Sequence, residues 1–118
     1  MNNFVAYNVS LELIRALRPV VPVIKRFDPD LADQIHRAAT SVALNLAEGA
    51  RRTGGNQRKH YEIAHGSANE VKACLDVAEC WGWLDDTRAL RRIVDRQLGL
   101  LWALCHGARV REAPAQAQ

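Results

Sequence analysis

Apolar residues return with the 3.6-residue spacing of an α-helix in four stretches of the chain, and no stretch alternates with period two over more than a few residues. The first runs from about Val9 to Phe27, with Ile14, Leu17, Val21 and Ile24 on one stripe. Pro19 and Pro22 fall inside it. Each removes a backbone donor and crowds the preceding turn, which predicts a first helix kinked or broken near residues 17–22. Asp28 then Pro29 opens the second helix, a capping side chain followed by proline at the first helical position. Leu31, Ile35, Ala38, Val42 and Leu46 form its stripe, and Gly49 is placed to help end it. The third begins after Gly54-Gly55, capped by Thr53 or Asn56, and carries Tyr61, Ala64, Ala68, Val71, Leu75 and Ala78 to a stop near Gly82. Asp85, Asp86 and Thr87 offer caps for the fourth, whose apolar residues run from Leu90 through Val94, Leu98, Leu101 and Cys105 to Ala108. Residues 113–118 read as a frayed tail.

Four amphipathic helices of roughly 20 residues, on the order of 30 Å long and joined by short turns, predict an all-α fold. Its architecture is an antiparallel up-and-down four-helix bundle, one domain over residues 1–118 with an ordered core at about 8–110. The fourth helix carries more apolar residues than one stripe can bury, since Leu98, Leu100, Leu101, Trp102 and Leu104 cannot share a side at 100° per residue. Trp81 and Trp83 add large apolar area near a helix end. This surplus makes Trp81, Trp83, Leu100 and Trp102 candidates for a contact between copies of the chain; rings lying flat on a monomer are the alternative.

The chain carries 16 Lys and Arg against 13 Asp and Glu, a formal net charge of +3. That mild excess alone assigns no partner. Arginine outnumbers lysine thirteen to three, and guanidinium groups suit phosphates and subunit-interface carboxylates equally well. The longest apolar run, residues 98–105, is far short of the roughly 20 residues a membrane helix needs. The N-terminus lacks a basic leader followed by an apolar core, so a cytoplasmic protein with no membrane contact is expected. Cys74, Cys80 and Cys105 lack CxxC spacing and read as buried thiols.

The run Arg51-Arg52-Thr53-Gly54-Gly55-Asn56-Gln57-Arg58-Lys59-His60 holds four formal positive charges and no acid, across a turn and into a helix N-terminus. Free backbone N–H groups there, with glycines that admit close approach, make Arg51, Arg52, Arg58 and Lys59 candidates for contacting nucleic-acid phosphates. A solvated turn pairing with Glu48 or with a neighbouring subunit fits as well. Arg91 and Arg92, with Arg88 and Arg96, form a second basic set, diluted by acidic neighbours.

Asp33-x-x-His36 and Glu62-x-x-His65 evoke the di-iron sites of helical bundles, but each histidine lies about 100° off its stripe, so no metal or other cofactor is expected. Ser67, mid-helix after Gly66, is not a strained nucleophile elbow, and no catalytic residue is assigned. Ser41 and Ser67 read as back-bonding to carbonyls or permitting close helix approach. Glu48, Glu70 and Asn45 lie nearest the apolar stripes, and the two carboxylates are expected to pair with Arg37, Arg51 or Arg52, or across a subunit boundary.

Ser41-Val42-Ala43-Leu44-Asn45-Leu46-Ala47-Glu48-Gly49, then Arg51-Arg52-Thr53, then Ile63-Ala64-His65-Gly66-Ser67 with Glu70, resembles the signature of the 23S rRNA intervening-sequence proteins. That group is similar to the accessory variability proteins of diversity-generating retroelements. Asn45, Glu48, Gly49, Gly66, Ser67 and Glu70 match its motif positions as structural residues. The resemblance implies an up-and-down bundle assembled as a homopentameric ring, and a basic surface that binds RNA or DNA without strong sequence specificity. A structural or protein-binding scaffold is the alternative, and a metal-dependent enzyme the remote one. The chain departs from the pattern at Ala43, where proline is common, at Gln57 and His60, where aromatic residues are usual, and at Asn56, which replaces an acidic cap.

Overall fold

The computed structural model describes residues 2–117, with side chains described for residues 5–107; the tail read at residues 113–118 lies outside the described side chains. Five α-helices and no strand make up the described residues: α1 (Asn2–Leu17), α2 (Val21–Phe27), α3 (Pro29–Ala50), α4 (Gly54–Cys80) and α5 (Arg88–Ala117).

The first predicted helix is two helices separated by a turn, rather than one helix with a kink. α1 ends at Leu17 and the Val20 N–H closes the turn on the Leu17 carbonyl at 2.9 Å. Pro19 lies in that turn, and Pro22 falls in the first turn of α2, where a missing backbone donor costs nothing. Asp28 ends α2 and begins α3. Its N–H donates to the Ile24 carbonyl at 2.8 Å, and its Oδ1 accepts from the Leu31 N–H at 3.0 Å.

At the far end of α3, the Arg52 N–H returns to the Gly49 carbonyl at 3.1 Å, and Gly54 takes φ +60° to start α4. Thr53 occupies the N-cap position without a side-chain bond, and Asn56 lies inside α4, so neither caps as expected. α4 closes on a Schellman motif. Gly82 (φ +78°) donates to the Glu79 carbonyl at 2.9 Å, and Trp83 donates to the Ala78 carbonyl at 3.0 Å.

The long helices close a cycle: α1 packs on α3, α3 on α4, α4 on α5 and α5 back on α1, while α2 lies against α3. The core falls into two clusters. Leu13, Leu17, Ile24, Ile35, Val71, Leu75 and Val94 anchor the one nearer α2; Ala6, Val42, Leu46, Tyr61, Ala64, Ala68 and Leu101 form the other, and Leu98 packs against both. Alanines at 32, 38, 39 and 43 on α3 and at 64, 68 and 78 on α4 are buried, which lets these two backbones approach closely. No helix among the described residues is long and apolar enough to cross a membrane.

Gln97 is a polar residue within this core, fully buried on α5. Its Nε2 donates to the Ala6 carbonyl on α1 at 3.2 Å, while its Oε1 has no partner. An orphaned buried acceptor costs about 1–3 kcal/mol. Methionine matches glutamine in shape, and Ala6 sits inside α1, where its carbonyl keeps a helical partner. Gln97→Met is therefore expected to raise unfolding free energy by up to about 1 kcal/mol in urea titrations; a loss of that size would show that the α1–α5 hydrogen bond outweighs the orphan.

Candidate functional site

A chain of polar groups runs along the contact between α3 and α4, flanked by apolar packing. Ser67 Oγ on α4 donates to Ser41 Oγ on α3 at 2.8 Å. Asn45 Nδ2 donates to the Ser41 carbonyl at 3.0 Å and to Ser41 Oγ at 3.1 Å. That leaves Asn45 Oδ1 facing His60 Nδ1 at 2.9 Å, so Nδ1 carries the hydrogen and donates. The serines therefore bond across the two helices rather than only back to carbonyls. One turn on, Gly49 is buried beneath Tyr61: a Cβ at Gly49 would stand 2.5 Å from Tyr61 Cε1 and 2.8 Å from Cδ1. Gly49 thus serves close approach, and α3 continues past it to Ala50.

Gln57 completes this end. Its Nε2 donates to the Gly49 carbonyl at 3.1 Å and to the Arg52 carbonyl at 2.9 Å, tying the end of α3 and the turn after it to α4. Gln57 stood out in the sequence only as a departure from an aromatic position. Its amide, a few residues beyond a helix end, was the available signal.

The basic turn projects from this frame. Arg51, Arg52 and Lys59 are exposed, and Arg58 is half-buried near the Cys105 thiol of α5. Glu48 is the carboxylate among them. Arg52 grips it, with Nε 2.7 Å and Nη2 2.6 Å from Oε2, and Arg51 stands at 3.9 Å. The Arg52 hydrogen bond and charge hold the Glu48 carboxyl below its ordinary value. Glu70, expected to pair with an arginine, is exposed and accepts from Gln34 Nε2 at 3.0 Å; Arg37 pairs with Asp33 at 3.2 Å instead. Glu70 lies one turn beyond Ser67 on α4, where the seam has ended and the carboxylate is at the surface.

The second basic set is divided. Arg91 donates to Asp76 Oδ1 at 2.6 Å and to Glu79, and Thr87 also donates to Glu79, so its guanidinium ties α5 to the end of α4. Arg92 stays exposed; hydrogen bonds from Arg88, with the Arg92 charge adding to them, hold the Asp86 carboxyl below its ordinary value. Arg88 holds Asp86 through Nε at 3.0 Å and Nη2 at 2.8 Å. α4, 27 residues long, spans about 40 Å, so Arg91 and Arg92, beside its far end, do not join the basic turn.

Of the interface candidates, Trp81 is 68% and Trp102 54% exposed, whereas Trp83 and Leu100 are half-buried. Trp83 is stacked between Phe27 and Trp81. Gly66 is exposed and a Cβ there would meet nothing, so nothing within the chain requires glycine at this motif position. Cys80 is exposed at the end of α4, contrary to expectation; burial pushes the Cys74 thiol up to about 11 and raises that of Cys105. Asp33 is engaged with Arg37, and His36 and Glu62 are exposed. Among the described residues no three His, Cys, Asp or Glu gather as a metal would need.

The model of one protein family, 23S rRNA-intervening sequence protein, matches residues 4–97. The chain belongs to this family. It is also similar to the crystal structure of a protein of unknown function from the S23 ribosomal protein family of Bacteroides thetaiotaomicron, with a TM-score of 0.73 and 20% identity over 89% of this chain and 98% of that one. No curated protein matches at a significant level. In this member of the family, the signature residues Ser41, Asn45, Gly49 and Ser67 are the α3–α4 seam itself, and Glu48 orders the arginine turn beside it.

The Glu79 network gives this member an acid-sensitive joint. The Thr87 hydroxyl, then Arg91, holds the Glu79 carboxyl below its ordinary 4.5. A depressed folded value contributes stability above 4.5 that is lost as pH falls from there through the lower folded value. Glu79→Gln is expected to flatten the fall in unfolding free energy below pH 4.5 and to lower stability at neutral pH. An unchanged acid slope would show that Glu79 adds nothing at this joint.

Proposed function

We propose that the chain is a non-enzymatic cytoplasmic protein whose basic α3–α4 turn holds nucleic-acid phosphates, displayed on a self-assembled ring. In this reading α1 and α2 together make the first helix of an antiparallel up-and-down four-helix bundle, and five bundles form the ring. The observation that carries it is the turn itself: Arg51 and Arg52 stand at the carboxylate of Glu48, and Arg58 and Lys59 follow in the first turns of α4 at the same end of the molecule. Gln57 and the seam hold that turn in shape, so its cations are presented by a fixed frame.

Self-association is supported by large apolar residues left in water on two helices that both pack on α1 and α4. Leu44 in the middle of α3 is 65% exposed, beside an open groove lined by His36, Thr40 and Asn45, and Trp102 stands out from α5. Leu100, half-buried, packs against the core instead. A scaffold for another protein is the second reading, favoured by Arg52 being engaged with Glu48 within the chain.

A ring of five would carry five copies of the chain's +3, and multivalent display turns weak single contacts into useful affinity. Binding to generic RNA and DNA is expected to depend little on sequence and to weaken steeply with salt. Arg51→Ala/Arg52→Ala is expected to flatten the slope of affinity against salt by roughly two phosphate contacts while light scattering still gives about five times 13.2 kDa. No binding at low salt would sink the nucleic-acid reading. A mass near 13.2 kDa would sink the ring.

A further inference from the structure

Phe27, Trp83 and Trp81 form a ladder of three nearly parallel rings at the end of the molecule away from the basic turn. Phe27 and Trp83 lie 5.2 Å apart at 4°, and Trp81 and Trp83 lie 5.9 Å apart at 11°. The ladder is assembled from two helix ends. Phe27 is the last residue of α2, and Trp81 and Trp83 flank the left-handed Gly82 of the Schellman motif that closes α4. Both ends are fixed by backbone hydrogen bonds, so the rings are held in place before any ligand arrives. Yet Phe27 is 56% and Trp81 68% exposed. Packing within the chain covers the middle ring and leaves the outer two in water.

We propose that this ladder is a stacking platform for unpaired nucleobases, a second nucleic-acid contact distinct from the basic turn; it rests on the nucleic-acid reading above. A stack this flat is continued best by another flat ring, and bases in a single strand offer such rings whatever their sequence. Lys25 and Arg26, both exposed, fill the last turn of α2 immediately before Phe27. Of the acids near it, Asp86 is paired with Arg88 and Asp28 caps α3, while Asp30 and Asp85 are exposed. A second copy of the chain is the rival occupant, which a change in solution mass would reveal. In a duplex the bases are paired and stacked on each other, so the platform distinguishes single strands from double strands, which the basic turn does not.

The test is fluorescence anisotropy with a short labelled RNA of mixed sequence, free or annealed to its complement, at low salt. Wild-type chain is compared with Trp81→Ala and Trp81→Phe, with helix content and solution mass measured for each. Trp81→Ala is expected to weaken single-strand binding by on the order of tenfold, to leave duplex binding unchanged, and to be largely rescued by Trp81→Phe. Unchanged single-strand binding, or equal loss on both forms, would overturn the platform while leaving phosphate binding intact. A lower solution mass would assign Trp81 to a contact between copies and overturn it too. If the wild-type chain bound neither form, the nucleic-acid reading would fall and the platform with it.

Discussion

The close approach of α3 to α4 is the constraint on which the remaining geometry depends. At Gly49 the two helices come near enough that the Tyr61 ring occupies the space a Cβ would need. Small side chains make that approach possible along the contact, and the Ser67–Ser41–Asn45–His60 chain of hydrogen bonds gives it a single register. Apolar faces alone tolerate sliding, since the hydrophobic effect has no direction. Polar groups that must meet partner for partner do not. Once the register is set, Gln57 reaches the carbonyls at the end of α3, and the turn between the helices has one shape.

That seam sorts the charged residues by task. Glu48 and Arg52 sit just beyond it and order the basic turn, leaving Arg51 and Lys59 in solvent. At the opposite end, Arg91 is taken up by Asp76, Glu79 and the work of joining α5 to α4. Two arginine groups that look alike in sequence therefore differ in what they are free to do. The aromatic residues divide similarly: Tyr61 closes the seam, whereas Trp81 and Phe27 keep broad faces in water.

The helices from Pro29 onward were legible because their stripes are long and their punctuation strong; the Asp28-Pro29 start is as the sequence implies. The break in the first helix was legible as a disturbance by two prolines, but its form as a turn over residues 18–20 depends on how α2 settles against α3. Partner choice was the least legible. That Glu48 would meet Arg52 follows from their spacing on one helix. That Glu70 would meet Gln34, or Arg91 reach Glu79, depends on contacts between helices that spacing does not encode. The aromatic ladder was invisible for the same reason: Phe27 and Trp83 are far apart in sequence and meet only because two helix ends converge.

The contact at Gly49 underlies the seam and the ordered turn, and one substitution reads it by sign. A glycine under no constraint inside a helix gains roughly 0.5–1 kcal/mol of stability when replaced by alanine. If the Tyr61 ring fills that space, the added methyl must displace a buried aromatic side chain. Equilibrium unfolding of Gly49→Ala in urea, at fixed protein concentration, should then show a loss of about 1–3 kcal/mol relative to the wild-type chain. A gain in stability instead would contradict the close α3–α4 seam and the ordering of the turn built on it.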